Sequence, residues 1–161
     1  LFVPYLRSLE KPNMVIAAPD IGGSKRANAY SRFLNTEMVI CYKLRKKANV
    51  ISEMKVIGDV KDKDIIIVDD MIDTAGTVCL ASDMMIDQGA SCVRVLATHP
   101  VLSGPAYDRI NESSIHELVV TDTIPLRGHS EKIKVITVAD LFADVINKVY
   151  KYKSISSNFI F

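Results

Sequence analysis

Three aspartates fall within five positions, Asp69, Asp70 and Asp73, and the small hydroxylated run Thr74-Ala75-Gly76-Thr77 follows them directly. A carboxylate pair accepts hydrogen bonds from vicinal hydroxyls. A starting helix offers unpaired N–H groups and the positive end of its dipole, which attract a phosphate. Gly76 permits close backbone approach, and Thr74 and Thr77 add hydroxyl donors. The acids lie about one sugar length from the turn, so acids and turn together suit a phosphorylated sugar. The same acids can bind Mg²⁺ directly or through water. The plainer alternative is a threonine helix cap beside solvated loop acids. Three acids directly after an apolar strand weigh against it.

Those residues need a strand before them and a helix after them. Ile65 to Val68 is a β-branched run of the kind that fills a fully buried parallel strand. A helical pattern runs from Val78 to Gln88, with Gly89 as its stop and Met84, Met85 and Ile86 as core filler. A second strand–loop–helix unit precedes it. Met14 to Ala18 reads as a buried strand, Pro19-Asp20-Ile21-Gly22-Gly23 as its loop, and Ser24 onward as a helix with Ala27, Tyr30 and Leu34 on one face. Gly22 and Gly23 free the backbone to curl around an anion, with Ser24, Lys25 and Arg26 beside it. A Gly-Gly pair alone marks only a turn.

Glu37 to Tyr42 is the next strand, and the basic run Lys43-Leu44-Arg45-Lys46-Lys47 follows. Such a run is usually a solvated face, although mutual repulsion also suits a loop that closes only on a polyanion. Lys61 to Asp64 reads as a tight polar turn joining Met54–Val60 to the strand at Ile65 as a hairpin. Further strands are predicted at Cys92–Ala97, Leu118–Val120 and Lys134–Val138, with a short helix over Tyr107–Asn111. Ala139 to Tyr150 reads as an amphipathic helix with Leu141, Phe142, Val145, Ile146 and Val149 facing inward. His99 lacks a neighbouring nucleophile and reads as a structural or supporting histidine.

At 161 residues the chain is one domain by length, 1–161, and long enough for a substantial core. Its 48% hydrophobic and 24% charged residues describe an ordinary globular protein. A net charge of +1 argues against a general polyanion binder, so no nucleic-acid partner is expected. Cys41, Cys79 and Cys92 sit in apolar stretches without metal-like spacing, which suggests buried thiols in a reducing compartment and a cytoplasmic location. No run reaches membrane-spanning length and no leader pattern is visible, so no membrane partner is expected. The first residue is Leu1, consistent with a processed or truncated chain.

The wording Asp69-Asp70-Met71-Ile72-Asp73-Thr74-Ala75-Gly76-Thr77 resembles the ribose-phosphate loop of the type I phosphoribosyltransferase fold. Within that group it is most similar to the phosphoribosyl pyrophosphate synthetases, or ribose-phosphate diphosphokinases. Ala18-Pro19-Asp20-Ile21-Gly22-Gly23-Ser24-Lys25-Arg26-Ala27 resembles the same family's pyrophosphate loop. Thr98-His99-Pro100-Val101-Leu102-Ser103-Gly104-Pro105-Ala106 resembles another of its segments, with Pro100 where Gly is usual. The resemblance runs from about Met14 to Val149. It implies an α/β fold, a three-layer, mostly parallel twisted sheet flanked by helices.

Further expectations come from the resemblance alone. It implies ribose 5-phosphate on Asp69, Asp70, Asp73, Thr74, Ala75, Gly76 and Thr77, and a pyrophosphate loop at Asp20, Gly22 and Gly23. Asp20 would help hold nucleotide-bound Mg²⁺. Lys43 and Arg45 match the two cations of the family's catalytic loop, though the proline common there is missing from Lys46-Lys47-Ala48. Ser154, Ser156 and Phe159 resemble a C-terminal segment that in many members joins a phosphate or ADP regulatory site between subunits.

The reaction implied is pyrophosphoryl transfer from ATP to the C1 hydroxyl of ribose 5-phosphate, giving 5-phosphoribosyl 1-pyrophosphate and AMP. The chain corresponds to the second of two homologous domains, with the N-terminal half absent, and a dimer-based homo-oligomer such as a hexamer is expected. Two rivals remain open. One is a base phosphoribosyltransferase, and the other is a non-catalytic regulatory subunit of a synthetase.

Overall fold

A computed structural model describes residues 1–44 and 53–159. The central feature is a seven-stranded sheet whose chain-order strands are β1 (Met14–Ala18), β2 (Glu37–Leu44), β3 (Glu53–Ile57), β4 (Asp64–Ile72), β5 (Cys92–Pro100), β6 (Glu117–Thr121) and β7 (Ile133–Ile136). Their spatial order is β3-β2-β1-β4-β5-β6-β7. Every pairing is parallel except β2 with β3. Ile65, Ile66, Ile67 and Val68 on β4 are all at most 1% exposed, as a strand covered on both faces requires.

Alternate residues face two separate cores. On one face Val15, Ala17, Ile65, Ile67, Val93 and Val95 pack with Cys79, Ala81 and Met85 of α3 (Gly76–Asp87) and Ile110 of α4 (Ala106–Glu112). On the other, Ile16, Ala18, Ile66, Val68 and Leu96 pack with Phe2 and Leu6 of α1 (Phe2–Ser8) and Ala27 of α2 (Ser24–Leu34). This is a three-layer α/β arrangement, and the period-two side-chain alternation of each strand creates it. Burial pushes the Cys41 thiol up to about 11 and raises Cys79 and Cys92 as well; Cys41 and Cys79 are buried, whereas Cys92 is only half-buried. Among the described residues, no helix is long and apolar enough to cross a membrane.

Two expectations are overturned. The polar turn at Lys61–Asp64 does not close a hairpin onto β4, because both edges of β4 are already taken by β1 and β5. β3 instead pairs antiparallel with β2, from Ile40↔Ile57 to Leu44↔Glu53. The turn is tied to the α3–β5 connection, with the Asp62 N–H donating to the Gly89 carbonyl (2.8 Å) and the Ser91 N–H to the Lys63 carbonyl (2.9 Å). The second correction concerns α5, which spans Ala139–Tyr150 as its periodicity predicts but has no buried residue. Phe142, Ile146 and Val149 are 54%, 66% and 58% exposed, and Leu141 and Val145 are only half-buried. The apolar stripe is real, but no described part of this chain covers it.

Candidate functional site

The parallel strands end at one rim of the sheet, and the chemistry-bearing loops gather there. β1 stops at Ala18, and its last pairing with β4 is Ala17↔Ile67. β4 continues on the β5 side through Asp69↔Ala97, Met71↔His99 and Ile72↔Pro100. Asp69 and Asp70 therefore lie within the strand's overhang, not beyond its end as the sequence suggests. The overhang leaves one edge of β4 unpaired beside the loop that follows β1. Ligands of open parallel sheets settle in such crevices at the strands' carboxyl ends.

The acidic pair has a partner that reaches it from 43 residues away. Arg26 on the first turn of α2 donates from Nη1 to Asp69 Oδ1 (3.0 Å), and its Nη2 lies 3.2 Å from Asp70 Oδ2. Asp69 Oδ1 also accepts the Asp70 N–H (2.9 Å), and Asp70 Oδ1 accepts the Met71 N–H (3.0 Å). Burial raises the Asp69 carboxyl to about 6, with the Asp70 carboxylate adding to the rise and the Asp70 N–H and Arg26 opposing it. Desolvation also pushes Asp70 upward, but the hydrogen bond from Asp69 and the Arg26 charge outweigh it and hold Asp70 below the usual range. Two adjacent carboxyls with separated affinities for a proton suit a site that grips hydroxyls.

The turn after the acids is built to leave amides open. Ala75 adopts a left-handed conformation (φ +59°) and is the N-cap of α3, with no side-chain cap hydrogen bond. The first intrahelical bond runs from the Cys79 N–H to the Ala75 carbonyl (3.0 Å). Gly76, Thr77 and Val78 thus have no intrahelical acceptor for their N–H groups, and neither threonine caps them. A cavity of about 140 Å³ lies over this turn, lined by Asp69 and residues 71–78. Sugar hydroxyls at the acids and a phosphate at the amides fit this arrangement.

A second segment braces the turn from behind, and it was not legible as such in the sequence. The Leu102 N–H donates to the Ile72 carbonyl and the Ser103 N–H to the Asp73 carbonyl, both at 3.0 Å. The Ser103 hydroxyl bonds the Asp73 carboxylate. Asp73 therefore faces the brace, whereas Asp69 and Asp70 face Arg26. Arg109 of α4 donates to the Thr74 carbonyl (2.9 Å), and its Nη1 lies only 3.3 Å from where a Cβ on Gly76 would stand. His99 is held at Nδ1 by Thr123 Oγ1 (3.0 Å), which itself donates to the Thr98 carbonyl (3.0 Å). That web supports the reading of His99 as structural.

The loop after β1 closes on itself. Asp20 Oδ1 accepts the Gly23 N–H (3.0 Å), and the Ser24 N–H donates to the Ile21 carbonyl (3.1 Å). A Cβ on Gly22 would stand 3.2 Å from Asp20 Oδ1, and one on Gly23 would stand 3.3 Å from Pro19 Cδ. Neither glycine has a positive φ. Both are needed here for closeness, not for an unusual backbone angle. Among the described residues no group of three or more His, Cys, Asp or Glu side chains is placed to hold a metal ion. Asp20 offers one exposed carboxylate, which suits a Mg²⁺ that brings phosphates and water as its other ligands.

The backbone of Lys43 pairs with Met54 at the end of β2, on the same rim as the two loops. Its side chain and all of Arg45, Lys46, Lys47 and Ala48 lie outside the described residues. Ser154 and Ser156 share a hydroxyl hydrogen bond (2.8 Å) on the tail that leads to Phe159, which is 52% exposed. Asn158 fastens that tail to α5 by accepting from Lys148 Nζ (2.8 Å) and donating to Asp144 Oδ2 (2.9 Å).

Comparison with known proteins places the chain by family and fold. A ribose-phosphate pyrophosphokinase from Porphyromonas gingivalis is 47% identical over 162 residues, which cover 100% of this chain and 52% of that protein. The protein of the same name from Wolinella succinogenes is 49% identical over 160 residues, 99% of this chain and 52% of that protein. The chain thus spans about half the length of the curated relatives it matches. The crystal structure of phosphoribosylpyrophosphate synthetase from Mycobacterium smegmatis superimposes with a TM-score of 0.84 at 32% identity, over 92% of this chain and 49% of that one. An adenine phosphoribosyl transferase from Trypanosoma brucei shares the fold, with a TM-score of 0.58 at 18% identity over 89% of this chain and 73% of that one. The family model described as phosphoribosyl synthetase-associated domain matches residues 45–160, and this chain belongs to that family.

Proposed function

We propose that this chain is one phosphoribosyltransferase-like domain, the second half of a two-domain ribose-phosphate diphosphokinase. Its share of the work is to bind ribose 5-phosphate and present the C1 hydroxyl to the β-phosphorus of ATP. The observation that carries this reading is the uncapped start of α3 at Ala75–Val78, which shares a cavity of about 140 Å³ with Asp69, the neighbour of Asp70. The phosphate sits on the open amides and the ring hydroxyls sit on the two acids. Thr74 and Thr77 supply hydroxyls to the phosphate. Asp73 shapes the turn through Ser103.

Phosphoryl-group chemistry asks the protein for position and charge more than for covalent partners. In this reading Lys43 and Arg45 neutralise charge on the transferring pyrophosphoryl group. Gly22 and Gly23 let the loop after β1 approach it. Asp20 would help hold a nucleotide-bound Mg²⁺, which would supply charge neutralisation on the phosphates. The chain acts within a dimer-based homo-oligomer of the longer protein, hexameric by family resemblance, in the cytoplasm. Ser154, Ser156 and Phe159 contribute to a phosphate or ADP regulatory site there.

Titration calorimetry with ribose 5-phosphate tests the reading. The chain should release heat on saturable binding, and in an AMP-release assay with ATP it should turn over poorly, because most of the nucleotide contacts belong to the other domain. No binding heat would overturn the reading and favour an inert regulatory paralogue. Efficient AMP release by the chain alone would overturn the division of labour between halves.

A further inference from the structure

Among the described residues, Arg26 is a cation that pairs with both pentose acids. Its guanidinium presents a fork, with Nη1 3.0 Å from Asp69 Oδ1 and Nη2 3.2 Å from Asp70 Oδ2. A planar guanidinium with one nitrogen on each carboxylate ties the two acids to a single rigid group, which a flexible ammonium cannot do. The side chain starts three residues after Gly23, whose N–H is held by the Asp20 carboxylate. The Ala27 N–H closes the first turn of α2 onto the Gly23 carbonyl (3.0 Å). One rigid turn therefore carries both the 20–23 loop and the group that orients the acids.

We infer that Arg26 is a positioning residue that aims the Asp69 and Asp70 carboxylates at the sugar hydroxyls, and so sets the preference for ribose over 2-deoxyribose. This rests on the proposed ribose 5-phosphate site. Without the fork, two adjacent carboxylates on the β4 overhang repel each other and turn apart, and the hydroxyl-reading half of the site loses its geometry. The phosphate-binding half does not depend on Arg26. It is made by the backbone at Ala75–Val78 and supported by Arg109 and Ser103. A residue that only stabilised the fold would weaken both halves together.

The test measures three ligands on the wild-type chain and on Arg26→Met and Arg26→Lys: ribose 5-phosphate, 2-deoxyribose 5-phosphate and inorganic phosphate. Wild type should prefer the ribose form by about tenfold, the effect of about one charge-assisted hydrogen bond. In Arg26→Met that ratio should fall to near one while the inorganic phosphate affinity stays within about twofold of wild type. Retained phosphate binding also shows that the variant is folded. Arg26→Lys keeps the charge without the fork and should give an intermediate ratio. An unchanged ribose to 2-deoxyribose ratio in both variants overturns the inference, as does a wild type that binds both sugars equally. Loss of phosphate binding in proportion to the loss of sugar binding in both variants also overturns it. A wild type that binds none of the three ligands would instead sink the ribose 5-phosphate reading itself.

Discussion

At the scale of single residues the two adjacent acids are pushed apart, Asp69 above the usual carboxyl range and Asp70 below it. Asp69 is raised to about 6 by burial, so the folded chain binds more protons than the unfolded chain between the usual carboxyl range and about pH 6. Its contribution to stability is therefore greatest in acid and declines as the pH rises through about 6. Asp70, held low mainly by Asp69 and Arg26 against its own desolvation, works in the opposite sense at lower pH. Ligand binding follows the ionised form. Affinity for ribose 5-phosphate should fall as the pH drops through about 6, and Asp69→Asn should cost about tenfold or more at neutral pH. Because the phosphate itself titrates near ~6, the steeper part of the wild-type profile is the part that Asp69→Asn removes. Calorimetry at several pH values on both proteins reads that difference. Identical profiles would take Asp69 out of the site.

The residue types were legible in the sequence, but their partners were not. Asp69, Asp70 and the 74–77 turn announce themselves because they are contiguous. Arg26 and Arg109 reach the site from 43 and 35 residues away, and nothing local marks which of 20 lysines and arginines will do so. The brace at Ser103 is hidden for the same reason.

At the scale of elements, each strand–loop–helix unit could be read because its pattern is local. Pairing could not, since it is decided by which edges are free. The turn signal at Lys61–Asp64 is genuine, but the strand before it pairs with β2 and not with β4. What pins the actual β2–β3 ribbon is Gly58, at φ +116°, where an added Cβ would stand 2.6 Å from Val39 Cγ1. Gly58→Ala should lower stability by about 2 kcal/mol or more, combining a left-handed backbone penalty with a clash in a well-packed core. A urea melt checks it, and a shift below about 0.5 kcal/mol would contradict this account of the ribbon. Gly22 makes a complementary point. Its pairing with Gly23 suggested backbone freedom, whereas the structure uses its missing side chain to make room for the Asp20 carboxylate.

At the scale of the whole molecule, two tightly packed faces sit on the sheet while α5 keeps its apolar stripe exposed. Periodicity tells that a helix has an apolar face and is silent about what lies against it. Met85 is fully buried in the α3 face, so Met85→Ala should cost about 2–5 kcal/mol. Phe142→Ser on α5 should change the unfolding free energy of this chain by no more than about 0.5 kcal/mol, despite removing a larger side chain. Equal losses in a denaturant titration would mean that α5 is part of the core.

Backbone amide NMR shows whether open helix amides on one side and paired acids on the other grip a phosphorylated pentose. Adding ribose 5-phosphate should shift the Gly76, Thr77 and Val78 amides first, with Asp69 and Asp70 following at the same concentrations. Saturable binding that moves amides elsewhere and leaves residues 74–78 in place would contradict that grip.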